Sequence, residues 1–175
     1  MSQILRFKIR RLVLISVLFL STVGCDQITK AVVRDGFCAQ SPLSYFGDMF
    51  RVELAQNPGA FLNLGAGLHA NARFWIFTVG VAFMLVACLS FLLLKKSLDK
   101  MMIVGLTLVV AGGFGNLVDR VLYGSVTDFL NLGIGEVRTG IFNVADMAVV
   151  AGVILCVWQS RKRSNEAAGN RPSLH

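Results

Sequence analysis

Three long apolar runs constrain this chain more than any other feature. Phe74 to Leu94 and Met101 to Val118 contain no charged residue, and Thr139 to Ser160 contains only Asp146. Each run is close to the ~20 residues that an α-helix needs to cross the hydrocarbon core of a bilayer. A fourth run lies between Arg11 and Lys30, and the chain is 55% hydrophobic with only 15% charged residues, unlike a soluble domain. We therefore predict an all-α membrane protein with four transmembrane helices, spanning about residues 12–30, 74–94, 101–119 and 139–160.

The basic residues predict the orientation of these helices. If all four runs span, the basic clusters fall on one side, which the positive-inside rule makes cytoplasmic together with both chain termini. This orientation, with contact to anionic membrane lipids, accounts for the net charge of +7, and no basic patch with interleaved aromatic residues indicates nucleic acid binding. The clusters are Arg6, Lys8, Arg10 and Arg11; Lys95, Lys96 and Lys100; Arg161 to Arg163; and Arg171.

The remaining segments complete a single domain of residues 1–160. The outer connections are residues 31–73 and 120–138, and residues 161–175 form a basic, polar tail that we expect to be disordered. In the first connection, "MFRVELAQ" alternates Phe50, Val52 and Leu54 with less apolar residues, which is typical of a strand. We expect a small extracytoplasmic β element that rests on the helices.

Carboxylates and amides recur near the outer ends of the third and fourth runs. Asn116 and Asp119 are three residues apart, as are Asn143 and Asp146, so each pair shares one helix face. Asp128 lies in the short outer connection between them, where it can meet Asp146 one to two turns below the outer surface. Two carboxylates in a poorly hydrated place share a proton, and such a pair supplies the general acid and general base of aspartic peptide hydrolysis.

The other charged groups have structural interpretations. A cation beside Asp119 would keep that carboxylate ionised, so we expect Asp119 and Arg120 to form an ion pair or to support a substrate. Asp26 and Lys30 are one helical turn apart and are expected to form a helix-surface or interhelical pair. Gly112, Gly113 and Gly115 leave the third helix without bulk, which permits close approach of a neighbour.

Five short motifs in this order, "DQITK", "NPGAF", "GGFGNLVDR", "VTDF" and "FNVAD", resemble the lipoprotein signal peptidases, the signal peptidase II family of aspartic peptidases. The resemblance covers residues 12 to about 158. It implies that Asp128 and Asp146 are the catalytic residues and that the enzyme cleaves prolipoproteins just before a diacylglyceryl-modified cysteine at the outer face of the bacterial cytoplasmic membrane. The supporting positions that it implies are Asp26, Lys30, Asn57, Gly59, Asn116, Asp119, Arg120 and Asn143.

One motif departs from the family's pattern. The outer motif commonly reads like "NxGAAFS", whereas this chain has "NPGAFLNLG", with Phe61 in place of a second small residue. Neither a metal nor another cofactor is expected, because His69, His175 and four scattered cysteines make no ligand set. Nothing in the sequence demands more than a monomer.

Other interpretations remain open at this point. Residues 6–25 have the outline of a lipoprotein signal peptide with Cys25 as a lipid anchor, although Asp26 and Lys30 favour a retained first helix. A proton-coupled transporter could use the aspartates as relay groups, a lipid phosphotransferase could use them to hold Mg²⁺, and a scaffold would tolerate loss of Asp146.

Overall fold

The computed structural model describes residues 3–37, 42–60 and 64–169, so Cys38 and Phe61 lie outside the described residues. Within these ranges are four helices long and apolar enough to cross a membrane. They are α1 (Gln3–Val32), α2 (Ala70–Leu94), α3 (Lys100–Tyr123) and α4 (Val144–Gly169). The prediction of four helices of membrane-spanning length and composition is confirmed.

α3 lies at the centre of the bundle and contacts the other three helices. Three glycines of α3 permit these contacts, because each of them faces a different neighbouring helix. A Cβ on Gly113 would lie 2.6 Å from Leu85 Cδ2 of α2, and one on Gly115 would lie 2.6 Å from Asp26 Oδ2 of α1. A Cβ on Gly112 would lie 2.9 Å from Val149 Cγ2 of α4. Bulk at any of the three would push a helix away, so the glycines fix the depth at which the helices pack.

An antiparallel sheet of four strands, in the order β1-β2-β3-β4, joins the ends of the helices. The strands are β1 (Leu43–Tyr45), β2 (Phe50–Asn57), β3 (Val126–Ile134) and β4 (Val137–Arg138). α3 ends at Tyr123, and the next residue, Gly124, has a φ of 75°, the left-handed conformation that glycine adopts without strain. The chain turns there into β3. We call this end of the bundle the sheet end.

Two boundaries differ from the predicted ones. The fourth helix begins at Val144 rather than at 139, because the segment from Thr139 to Phe142 runs beside β3 instead. In this segment the Thr139 N–H donates to the Leu132 carbonyl at 2.6 Å, and the Phe142 N–H donates to the Leu130 carbonyl at 2.9 Å. At its other end the helix continues to Gly169, so residues 161–169 are helical where we expected disorder. The Arg163 guanidinium binds Asp99 at 2.6 Å, which ties this extension to the start of α3.

Candidate active site

Asp128 projects from β3, the strand that pairs with β2 in the middle of the sheet. Its side chain is 2% exposed. Asn57 Nδ2, at the end of β2, donates to Asp128 Oδ2 at 2.9 Å, and Asn143 Nδ2, just before α4, donates to Asp128 Oδ1 at 2.6 Å. The strand pairing therefore places this carboxylate against the first turn of α4.

Asp146 lies in that first turn, because α4 begins at Val144. Asn143 Oδ1 accepts from the Asp146 N–H at 2.9 Å, and Asp146 Oδ2 accepts from the Asn143 N–H at 3.2 Å. This reciprocal pair is a capping box. We had explained the three-residue spacing of Asn143 and Asp146 by a shared helix face. The spacing also allows the two residues to cap the first turn of α4.

All four carboxylate oxygens of the two aspartates accept a hydrogen bond from an amide N–H. The fourth bond comes from α3, where Asn116 Nδ2 donates to Asp146 Oδ1 at 2.8 Å. Asn143 contacts both carboxylates, through its side chain and its main chain. Asn143 therefore links Asp128 to Asp146, while Asn57 holds the first carboxylate and Asn116 the second. None of these three amide side chains can take up or release a proton near neutral pH.

A buried cluster of charges supports Asn116 from the side of α1. Lys30 and Asp26 are fully buried, and Lys30 Nζ lies 2.8 Å from Asp26 Oδ2, 3.4 Å from Asp119 Oδ2 and 2.9 Å from Asn116 Oδ1. Because the Asn116 oxygen accepts from Lys30, its NH₂ group is directed at Asp146. Asp26 Oδ1 also accepts from the Ala145 N–H at 2.9 Å, so α1 caps α4.

The expected pairing of Asp119 with Arg120 is not the one formed. Asp119 Oδ1 lies 3.5 Å from Arg34 Nη1, and its Oδ2 accepts from the Thr127 N–H at 2.9 Å in addition to binding Lys30. Arg120, on a different side of α3, donates through Nη2 to the Gly59 carbonyl at 2.7 Å. Adjacent residues on a helix point about 100° apart, so they meet different partners.

Two further residues of this cluster were not predicted. Arg34 also donates to Thr127 Oγ1 at 3.0 Å, and its guanidinium lies 4.5 Å from the centroid of the Tyr123 ring. Gln27 Nε2 lies within hydrogen-bonding distance of Asp26 Oδ2 and Asp119 Oδ1, at 3.1 and 3.3 Å. The available signal was position, since Gln27 is inside the "DQITK" motif and Arg34 follows Lys30 by four residues.

Gly59 and Asn57 hold the chain beyond β2 against the site. Asn57 Oδ1 accepts from the Gly59 N–H at 3.0 Å while its Nδ2 reaches both the Ala60 carbonyl, at 3.1 Å, and Asp128. Every predicted site residue therefore lies in one connected network. Among the described residues, no group of three or more His, Cys, Asp and Glu side chains is arranged to hold a metal ion.

Asp128 also has an unusual protonation equilibrium. Burial, together with the nearby Asp146 carboxylate, raises its pKa to about 6, although the hydrogen bonds from Asn57 and Asn143 act in the opposite direction. An apolar cavity of about 530 Å³ opens beside Asp146, lined in part by Phe142, Met147 and Val150. The site therefore joins a carboxylate that titrates near neutral pH to a space that can hold an apolar group.

The chain is similar to known proteins over most of its length. Residues 18–162 match the family described as Signal peptidase (SPase) II. Lipoprotein signal peptidase of Syntrophus aciditrophicus is 36% identical over 155 residues, covering 86% of this chain and 96% of the relative, and that of Moorella thermoacetica is 38% identical over 144 residues, covering 81% and 89%. A solved structure described as a bacterial membrane enzyme superposes with a TM-score of 0.75 at 25% identity, covering 92% of this chain and 93% of its own. The chain belongs to the signal peptidase II family, the lipoprotein signal peptidases, and is a peptidase of the aspartic type.

Proposed function

We propose that this protein is a membrane endopeptidase that removes signal peptides from diacylglyceryl-modified prolipoproteins by cleaving before the lipidated cysteine, with Asp128 and Asp146 as the catalytic dyad. It would act at the outer face of the bacterial cytoplasmic membrane, with both termini cytoplasmic. The observation that carries the proposal is the asparagine network around the dyad. One amide hydrogen bond to each carboxylate oxygen fixes both groups and leaves further lone pairs free for water and substrate.

The charges around the dyad favour one shared proton. Lys30, Arg34 and Arg120 supply three positive charges, and Asp26, Asp119, Asp128 and Asp146 supply four negative ones when all are ionised. A single added proton makes the group neutral. The raised pKa of Asp128, caused by burial and by the neighbouring Asp146 carboxylate, favours this proton on the dyad, which is the state that aspartic peptide hydrolysis uses.

In the reaction, the ionised member of the dyad removes a proton from water as it attacks the scissile carbonyl. The protonated member polarises that carbonyl and then protonates the leaving amine, so that the dyad as a whole returns to one proton. Arg120 and the chain at Gly59, which its guanidinium holds, lie beside this space and would orient the substrate backbone.

An in vitro cleavage assay in detergent tests the proposal, with a diacylglyceryl-modified prolipoprotein beside its unlipidated form. We expect Asp128→Asn and Asp146→Asn each to lower kcat by a factor of about 10²–10⁴ or more, whereas Asp99→Asn, which removes a carboxylate at the opposite end of α3, leaves cleavage unchanged. A chelator should have no effect. Normal cleavage by either dyad variant, or cleavage of the unlipidated form at an equal rate, would contradict the assignment.

A further inference from the structure

The half of the sheet farthest from Asp128 has two chemically different faces. Side chains alternate along each strand, and residues opposite one another in an antiparallel pair point to the same side. The register pairs Leu43 with Val52, Tyr45 with Phe50 and Ile134 with Val137, while β2 and β3 pair through Phe50 with Leu132 and Val52 with Leu130. One face, which we call the apolar face, therefore consists of Leu43, Tyr45, Phe50, Val52, Leu130, Leu132, Ile134 and Val137.

Three charged side chains on the opposite side, Asp48, Arg51 and Arg138, are paired with one another. Asp48, in the turn after β1, accepts hydrogen bonds from Ser44 at 2.7 Å and from the Arg51 guanidinium. Arg138 donates to the Asp48 carbonyl at 2.8 Å and also binds Asn131. These three charged side chains are thus held away from the apolar face.

The apolar face is exposed in a way that a water-facing sheet seldom is. Ile134 is 72% exposed, Val137 is 82% exposed, and Phe46, at the tip of the β1–β2 turn, is 82% exposed. The Gly133 N–H donates to the Met49 carbonyl at 3.0 Å, which connects this turn to the end of β3. A large contiguous apolar patch of this kind marks an interaction surface.

The apolar face continues into the side of α4 that faces away from the bundle. Leu132 lines a cavity of about 590 Å³ with Phe46 and Ile134, and it also lines the cavity beside Asp146, whose other wall includes Met147 and Ile154 of α4. Met147 and Ile154 are 53% and 57% exposed and lie on a helix that is long and apolar enough to span a membrane. The exposed apolar surface of α4 is therefore continuous with the apolar face of the sheet.

From this continuity we propose that the apolar face of the sheet is a lipid-binding surface, immersed among phospholipid acyl chains of the leaflet at the sheet end. Lipid is the partner that already surrounds α4, and aromatic and aliphatic side chains such as Phe46, Tyr45 and Ile134 suit the membrane interface. The paired charges on the other face remain toward water. This inference concerns the position of the sheet in the membrane and is independent of the cleavage reaction.

Tryptophan fluorescence in proteoliposomes tests the proposal. In a protein with Trp75→Phe and Trp158→Phe, one reporter is introduced at a time: Tyr45→Trp and Val137→Trp on the apolar face, and Ser44→Trp as the matched control. Ser44 neighbours Tyr45 on the same strand but points to the opposite face, and both are exposed. We expect phospholipids with brominated acyl chains to quench most of the emission at positions 45 and 137 but little at 44, and aqueous iodide to give the reverse order.

Two outcomes would overturn the proposal. If iodide quenches Tyr45→Trp and Val137→Trp as strongly as Ser44→Trp while brominated lipid does not, the apolar face is exposed to water. If these two reporters are shielded from iodide and from brominated lipid alike, another polypeptide, such as a second copy of the chain, covers the face.

Discussion

Lys30→Met probes the buried charge cluster most directly. Lys30 is fully buried, and its Nζ is the only group that contacts Asp26, Asp119 and Asn116 together in the described network. Removing one partner of a buried ion pair leaves an uncompensated charge and costs about 3–5 kcal/mol. Since 1 kcal/mol shifts Tm by about 2–4 °C in a chain of this length, Tm should fall by roughly 6–20 °C.

Thermal unfolding in detergent, with two companion variants, measures this effect. Lys162→Met is the matched control, because Lys162 and Glu166 are four residues apart like Lys30 and Asp26, but their side chains are 61% and 67% exposed and 4.0 Å apart. It should change the free energy of unfolding by about 1 kcal/mol or less. Adding Asp26→Asn to Lys30→Met should restore part of the lost stability. If Lys30→Met unfolds within about 2 °C of wild type, the cluster does not hold the helices together as we argue.

Two further results are expected. Because the folded-state pKa of Asp128 is raised to about 6, the protonated form stabilises the fold by about 2–3 kcal/mol below pH ~4, and this stabilisation is lost as pH rises through ~6. Tm measured against pH should therefore fall over this range in wild type but not in Asp128→Asn. Equal slopes of Tm against pH in the two proteins would refute this prediction. Gly112→Ala should lower both Tm and activity, because its Cβ would lie 2.9 Å from Val149 Cγ2 and force α3 from α4 beside the dyad. Gly24→Ala, whose Cβ would have no neighbour within 4 Å, is its control, and equal unfolding temperatures for the two variants would contradict the packing argument.

The helices were predictable from the sequence because membrane spans require long apolar runs, and no other described element of this chain has such a run. The proximity of Asp128 and Asp146 was also predictable, since the ends of consecutive helices joined by a short connection must lie near each other. The strand β3 was not predicted. Asp128 occupies the same face as Leu130 and Leu132, and a charged residue there hides the alternation that marks a strand.

Long-range pairings could not be predicted either. Arg34 follows the predicted end of the first span and lies in a helical turn from Val33 to Phe37, in which Gly36 has a φ of 107°. There it binds Asp119, 85 residues away. The sequence shows which charges exist, but the choice between Arg34 and Arg120 as the partner of Asp119 depends on how α1 and α3 are rotated against each other.

The placement of Asp26 and Lys30 within a single helix has a consequence for biosynthesis. Asn116 lies 86 residues after Lys30, which at about 5–20 residues per second is about 4–17 s of synthesis. During that time α1 can enter the bilayer with its two buried charges already neutralised by each other, 2.8 Å apart. The Ala145 N–H, which Asp26 finally caps, is made later still. Within α1, Asp26 therefore serves as the counter-ion of Lys30 until the other helices are made. The site becomes complete only when α4 has been inserted.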